Sequence, residues 1–134
     1  MHQAYIGLTS LSLPSNSAVI FDIDMTLIDE SGNRIEPVCW FYEQVLKENF
    51  TAVLVTARPS IDSVIERTNR DLQSCGIVNY DSIYFRDPAE KNVEKYKTSA
   101  RRNIWERGFN VIMSVGDQPW DIGEYGGIGI LLQE

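Results

Sequence analysis

The chain has 134 residues, enough for one hydrophobic core but short of a second domain. Its 43% hydrophobic content is ordinary for a folded domain, and its formal net charge of -7 argues against a general nucleic-acid coat, though not against a local basic patch. No apolar run is long enough to span a bilayer, and the start MHQAYIGLTSLSLPSNSA has neither a basic head nor a continuous apolar block. No membrane association or export signal is therefore expected, which points to the cytoplasm.

Residues 1–17 read as an N-terminal arm or an extra edge strand. From residue 18 strands and helices alternate. AVIFDID (18–24) is a first strand, and Ser31-Gly32-Asn33 then turns a small hairpin between Leu27-Ile28 and Ile35. Pro37 opens a helix with Val38, Phe41, Val45 and Leu46 on one face. AVLVT (52–56) is the second strand. The next helix starts near Pro59 and Ser60, repeats Ile61, Val64, Ile65, Thr68 and Leu72, and stops at Gly76. SIYF (82–85), a helix over residues 90–107 ending at Gly108, NVIMSV (110–115) and GIGILL (127–132) complete the series. The alternation predicts an α/β, Rossmann-like domain over residues 18–134, a parallel sheet of five strands with helices on both faces. Cys39 and Cys75 lie in helical stretches without metal-ligand spacing and read as small reduced core residues.

The chemistry-bearing residues collect at the carboxyl ends of these strands, where open α/β sheets bind ligands. Asp22 and Asp24 end the first strand and are followed by Thr26. Two neighbouring carboxylates repel, so keeping both ionised takes a cation or a shared proton. Thr56 ends the second strand, Lys97 lies on the third helix, and Asp117 and Asp121 follow the fourth strand in SVGDQPWD. Each has an ordinary alternative: Asp121 as a helix cap, Thr56 as a strand former, Lys97 as one solvated charge among Lys91, Lys95, Arg101 and Arg102. Their joint occurrence in this order is what carries the reading. Arg58 either reaches a substrate phosphate or pairs with a surface carboxylate, and Arg86 reads as a structural ion pair more readily than as a substrate contact. Trp40, Tyr42, Trp105 and Trp120 are candidates for aromatic contacts; residues at helical spacing are more often core, while Trp120, within the last motif, could border the site.

The pieces DIDMT, VLVTAR, the Lys97 segment and GDQPWD resemble, in order, the four motifs of the haloacid dehalogenase (HAD) superfamily, in its DxDxT phosphatase branch. TARP, YKTSARRNI and GFNVIMSVGDQPWD are most similar to the HAD acid phosphatase group. Met25 stands where relatives often have glycine or glutamate. The resemblance implies that Asp22 is a nucleophile forming an aspartyl-phosphate and Asp24 the general acid and base. Thr56 and Lys97 would bind the phosphate, joined by Arg58 on one of its two readings. It further implies one Mg²⁺ held by Asp22, the backbone carbonyl of Asp24 and Asp117, with Asp121 as ligand or water anchor; all-oxygen ligation favours Mg²⁺ over zinc or copper. The lone histidine, His2, has no part in this scheme.

Both places where HAD enzymes insert a cap are short here, so a capless domain is expected. An open site takes substrates that cover it themselves or borrows a lid from another subunit, which makes a homo-oligomer one expectation. The leading function is a Mg²⁺-dependent phosphomonoester phosphatase acting on a phosphorylated small molecule or macromolecule. The alternative is a nucleic-acid end (3′-phosphate) phosphatase similar to the polynucleotide kinase phosphatase domain. There the basic helix, with Lys91, Lys95, Lys97, Arg101 and Arg102, would steer a strand end; nucleic acid is thus an admissible partner but not the favoured one. A third reading from another class is a non-hydrolytic phospho-accepting or binding module.

Overall fold

Strand β1 (Ser17–Phe21) is buried along its whole length and lies at the centre of the sheet. The computed structural model describes residues 1–9 and 13–132. Within them β2 (Thr51–Pro59), β3 (Ile83–Arg86), β4 (Asn110–Gly116) and β5 (Ile128–Leu131) join β1 in the order β3-β2-β1-β4-β5, with every pairing parallel. Ile20 pairs with Val53 on one side and Ser114 on the other, so the ends of β1, β2 and β4 form one edge. All-parallel pairing puts Asp22, Thr56 and Asp117 together at that edge.

The period-2 alternation of the strands divides the core. Val19, Phe21, Leu54, Met113 and Val115 face a cluster with Val38, Phe41, Tyr42 and Val45 of α2 (Glu36–Lys47) and Leu72 of α3 (Asp62–Ser74). Ile20, Val53 and Val55 face the other way, onto Ala100 and Ile104 of α4 (Val93–Glu106). Helices therefore cover both faces, as the alternation of apolar strands and amphipathic helices requires. Pro37 sits in the first turn of α2, where its missing N–H costs nothing. The Asn92 side chain caps α4 by accepting from the Lys95 amide at 3.0 Å. Gly76 and Gly108 follow α3 and α4 with φ of +73° and +95°, the left-handed exit that glycine adopts freely.

One expectation needs correction. Residues 2–9 form neither an arm nor an edge strand but a helix, α1 (His2–Thr9), which packs on α2. His2 and Tyr5 place their rings 4.5 and 5.4 Å from that of Trp40, and Leu8 is buried in the main core. Residues 10–12, 133 and 134 lie outside the described residues. The small hairpin expected after β1 is present, with an antiparallel bridge from Ile28 to Arg34 and amides of Asp29 and Ile35 donating to the Asn33 and Leu27 carbonyls at 2.9 Å each. Its turn is held by Asp29, whose Oδ1 accepts from the Ser31 and Asn33 amides at 2.9 Å each. Of the two readings of Trp105, core is excluded, since it is 54% exposed. Cys39 and Cys75 are free and buried, as expected. Neither the β1–α2 nor the β3–α4 connection contains an inserted domain.

Because Leu8 is part of the core, Leu8→Ala should destabilise the fold by about 2–3 kcal/mol. Urea unfolding checks this; a change within experimental error would show α1 to be an appendage.

Candidate active site

Lys97 is 2% exposed, and its ammonium is surrounded by oxygen. It donates to Asp22 Oδ1 at 2.8 Å and to the Val55 carbonyl at 2.9 Å, and lies 2.7 Å from Asp121 Oδ1. A buried ammonium without such partners would be costly, so this one position ties α4 to the ends of β1 and β2 and to the turn after β4. Asp22 Oδ2 accepts from the Thr26 hydroxyl at 3.1 Å, which fixes the carboxylate plane. Burial pushes the Asp22 carboxyl up to about 7; Lys97 pulls it down, and nearby Asp121 raises it further. Two buried carboxylates share one ammonium, and the cluster is short of positive charge.

Asp24 differs. Its side chain is 53% exposed and is gripped from one side by Arg58, whose Nε and Nη2 donate to its two oxygens at 2.9 and 2.6 Å. Arg58 is itself anchored on α3, donating from Nη1 to Thr68 Oγ1 at 3.0 Å and Asp71 Oδ2 at 3.1 Å. Hydrogen bonding to Asp24 raises the Arg58 guanidinium above its ordinary value. Of the two readings of Arg58, the structure thus shows carboxylate pairing, with Asp24 as one partner. Thr56 is fully buried; its Oγ1 accepts from the Arg58 amide at 3.1 Å, which leaves the hydroxyl proton to donate elsewhere.

Asp117 is half-buried beside them, held by Gln118 Nε2 at 3.3 Å. Asp22, Asp117 and Asp121 each offer a carboxylate oxygen within 4.8 Å of the others. Asp121 Oδ2 accepts from the Gln118 amide at 3.0 Å. Asp121 Oδ1, despite its closeness to Lys97, has no hydrogen bond of acceptable geometry, the sole such buried side-chain atom among the described residues. Converging carboxylates with an unsatisfied buried oxygen fit a hard divalent cation with oxygen ligands.

Several contributors escaped sequence reasoning. Arg101 is buried one helical turn after Lys97 and braces the turn carrying Asp121, donating to the Trp120 carbonyl at 2.7 Å and the Glu124 carbonyl at 2.8 Å. The i, i+4 spacing from Lys97 was the available signal. Lys97 and Arg101 are both buried, which excludes the solvated basic face that was the ordinary alternative for Lys97. Gly116 is required by contact: a Cβ there would lie 2.2 Å from Asp121 Cβ. Thr68 and Asp71 carried no signal beyond their helix. Arg86 donates to the carbonyls of Ala57 and Glu90 at 2.9 Å each, a structural role, though with backbone rather than a carboxylate. Trp120 is 37% exposed in the turn before Asp121.

A comparison with known families matches residues 33–128 to the HAD superfamily, subfamily IIIB (acid phosphatase). The chain belongs to this acid phosphatase subfamily. The matched stretch begins after Asp22 and Asp24, so that pair stands on its own sequence and geometry. No curated protein matches in sequence. Among solved structures, the class C acid phosphatase from Bacillus anthracis is similar with a TM-score of 0.74 and 13% identity, over 90% of this chain and 61% of that one. A chain in the structure of the Pnkp1/Rnl/Hen1 RNA repair complex is similar with a TM-score of 0.67 and 19% identity, over 87% of this chain and 42% of that one. At these identities the likeness is one of fold, and the HAD acid phosphatase chain described here spans between 42% and 61% of the length of these structures.

The raised Asp22 has a consequence for stability. Its folded value, about 7, exceeds its ordinary 3.8, so between these values the folded state holds a proton that the unfolded state has lost. Asp22 then contributes stability that is full at low pH and lost as pH rises through about 7. In metal-free protein, Asp22→Asn should raise Tm by several degrees at pH 8 and by much less at pH 5; an equal shift at both would contradict the proton linkage. Mg²⁺ should raise the Tm of wild type, and Gly116→Ala, by displacing Asp121, should abolish most of that increment.

Proposed function

We propose that the protein is a Mg²⁺-dependent phosphomonoester phosphatase that works through an aspartyl-phosphate on Asp22. The observation that supports it best is the division of labour between the two aspartates. Asp22 is buried and fixed by Lys97 and Thr26, whereas Asp24 is exposed and aimed by Arg58. A nucleophile benefits from a held position, and a proton carrier needs access to the leaving group and to water.

In this scheme an Asp22 oxygen attacks phosphorus in line while the ester P–O bond breaks, and Asp24 gives its proton to the departing alkoxide. Asp24 then takes a proton from a water that attacks the phosphorus of the aspartyl-phosphate, releasing phosphate and restoring Asp22. Lys97 offsets charge on the phosphoryl group and Thr56 donates its free hydroxyl proton to a phosphoryl oxygen. Arg58 acts through Asp24 as a positioning residue. Asp22, Asp117 and Asp121, with the backbone carbonyl of Asp24, would hold Mg²⁺, which when bound offsets the acidic cluster and polarises the phosphoryl oxygens.

A nucleic-acid end phosphatase is the second reading. It is supported by the exposed Trp105, packed on Tyr125 at 5.4 Å, near exposed Arg102, and by the fold shared with a chain of an RNA repair complex. It ranks second because Lys97 and Arg101, two of the five basic side chains assigned to that helix face, turn inward. On this reading, activity toward a 3′-phosphorylated oligonucleotide would fall steeply with salt. A phospho-accepting module without turnover would instead leave a lasting phosphoprotein.

Phosphate release from p-nitrophenyl phosphate should require Mg²⁺ and stop with EDTA. Asp22→Asn should reduce it at least 10²-fold, and Asp24→Asn by about 10²- to 10⁴-fold with phosphorylated Asp22 accumulating. Turnover by Asp22→Asn equal to wild type would refute the nucleophile assignment.

A further inference from the structure

Lys97, Arg101 and Trp105 stand four residues apart on α4, so they form a row along one side of the helix with steps of about 6 Å. All three reach the same segment, the turn and loop after β4. Lys97 lies 2.7 Å from Asp121 Oδ1, and Arg101 donates to the carbonyls of Trp120 and Glu124. Trp105 sets its ring 5.4 Å from that of Tyr125. The partners follow the order of the row, so residues 120–125 run along α4 away from the acidic cluster. On the sheet side the Ser114 hydroxyl donates to the Gly126 carbonyl at 2.8 Å, which pins the far end of the loop.

Two features of the outer rung call for a cause. Trp105 is 54% exposed, so it fills no core. Tyr125 has φ of +62°, a left-handed conformation in which its Cβ crowds the backbone and which glycine would take without strain. A tyrosine there costs backbone strain, and what it adds is a ring laid against Trp105. The load on this loop is electrostatic. Asp121 repels Asp22, so without a cation the two carboxylates push the turn outward. Asp22 is held by Lys97 and Thr26, and Asp117 directly follows β4; Asp121 is the member of the cluster that hangs on the loop.

We propose that Trp105 and Tyr125, with Arg101 between them and the cluster, are positioning residues for the cation site, and that their stack strengthens Mg²⁺ binding by holding Asp121 in place. The proposal deepens the Mg²⁺-dependent phosphatase reading and rests on it. A cation binds more tightly when its ligands are already gathered, because the cost of bringing them together is met by the fold. The exposed stack thus acts on the metal through the loop, without touching it.

Calorimetric titration of Mg²⁺ into the full chain tests this, with each variant held at a temperature where it is folded. Trp105→Ala should weaken Mg²⁺ binding by about two- to tenfold, the scale of one aromatic pair, and Trp105→Phe should restore most of the loss. Tyr125→Asn, which accepts the left-handed backbone but removes the ring, should weaken it similarly. Arg101→Gln, nearer the cluster, should cost about 10- to 100-fold. Thermal unfolding of the metal-free variants separates positioning from stability. A lowered metal-free Tm with unchanged Mg²⁺ affinity in Trp105→Ala and Tyr125→Asn would overturn the proposal, whatever the fate of Arg101→Gln. No Mg²⁺ binding by wild type would overturn it together with the metal-dependent reading. Weakened binding in the variants of a wild type that hydrolyses no p-nitrophenyl phosphate would count against the phosphatase reading and leave the positioning roles standing.

Discussion

The site depends on one buried ammonium. Lys97 comes from α4, yet its partners are Asp22 after β1, the Val55 carbonyl on β2 and Asp121 after β4. Those three strands are neighbours in the sheet, so a single side chain entering from α4 reaches all of them. Removing such a charge from water is expensive, and its oxygen partners offset that cost only when all are in place. The same contacts that make the lysine tolerable therefore assemble the cluster. The surplus is negative, since Asp22 and Asp121 share one ammonium and Asp117 converges with them.

Around that fixed centre, rigidity is graded. The nucleophile candidate is held through both oxygens in a dry environment, while the acid/base candidate stands in solvent on an arginine brace from β2 that is anchored on α3. The two aspartates are separated by one residue; strand alternation would put both on one face, but β1 ends at Phe21 and the turn that follows gives their side chains different partners. One local sequence thus produces two carboxylates of unlike character. Arg101 extends this order, since its hydrogen bonds to the carbonyls of Trp120 and Glu124 keep the turn with Asp121 in register with Lys97.

Much of this was legible in the residues. The strands are continuous apolar runs, α2, α3 and α4 carry apolar stripes, and Gly76 and Gly108 mark helix ends for a reason that stays local to the backbone. Asp22, Asp24, Thr56, Lys97, Asp117 and Asp121 could be grouped because strand ends in a parallel sheet share an edge. What could not be read depends on distant partners. The grip of Arg58 on Asp24 and Asp71 joins three segments with no common periodicity. α1 is short and weakly patterned, and its helicity follows from docking Leu8 and Tyr5 against the core and Trp40. The inward turn of Arg101 was hidden among neighbouring exposed basic residues, because charge alone does not report which face of a helix a side chain takes.

The remaining tension between substrate classes is geometric. α2 and α4 pack on opposite faces of the sheet, and the acidic cluster lies at the sheet edge between them. An apolar groove with Pro37 and Val38 belongs to the α2 side, and exposed Trp105, Tyr125 and Arg102 belong to the α4 side. A small apolar group suits a concave apolar wall. A polymer strand needs an open track of stacking surfaces and cations, which a convex helix face provides. Asp117 borders the groove, whereas Lys97 and Arg101 of α4 turn to the interior and leave that helix face with fewer charges.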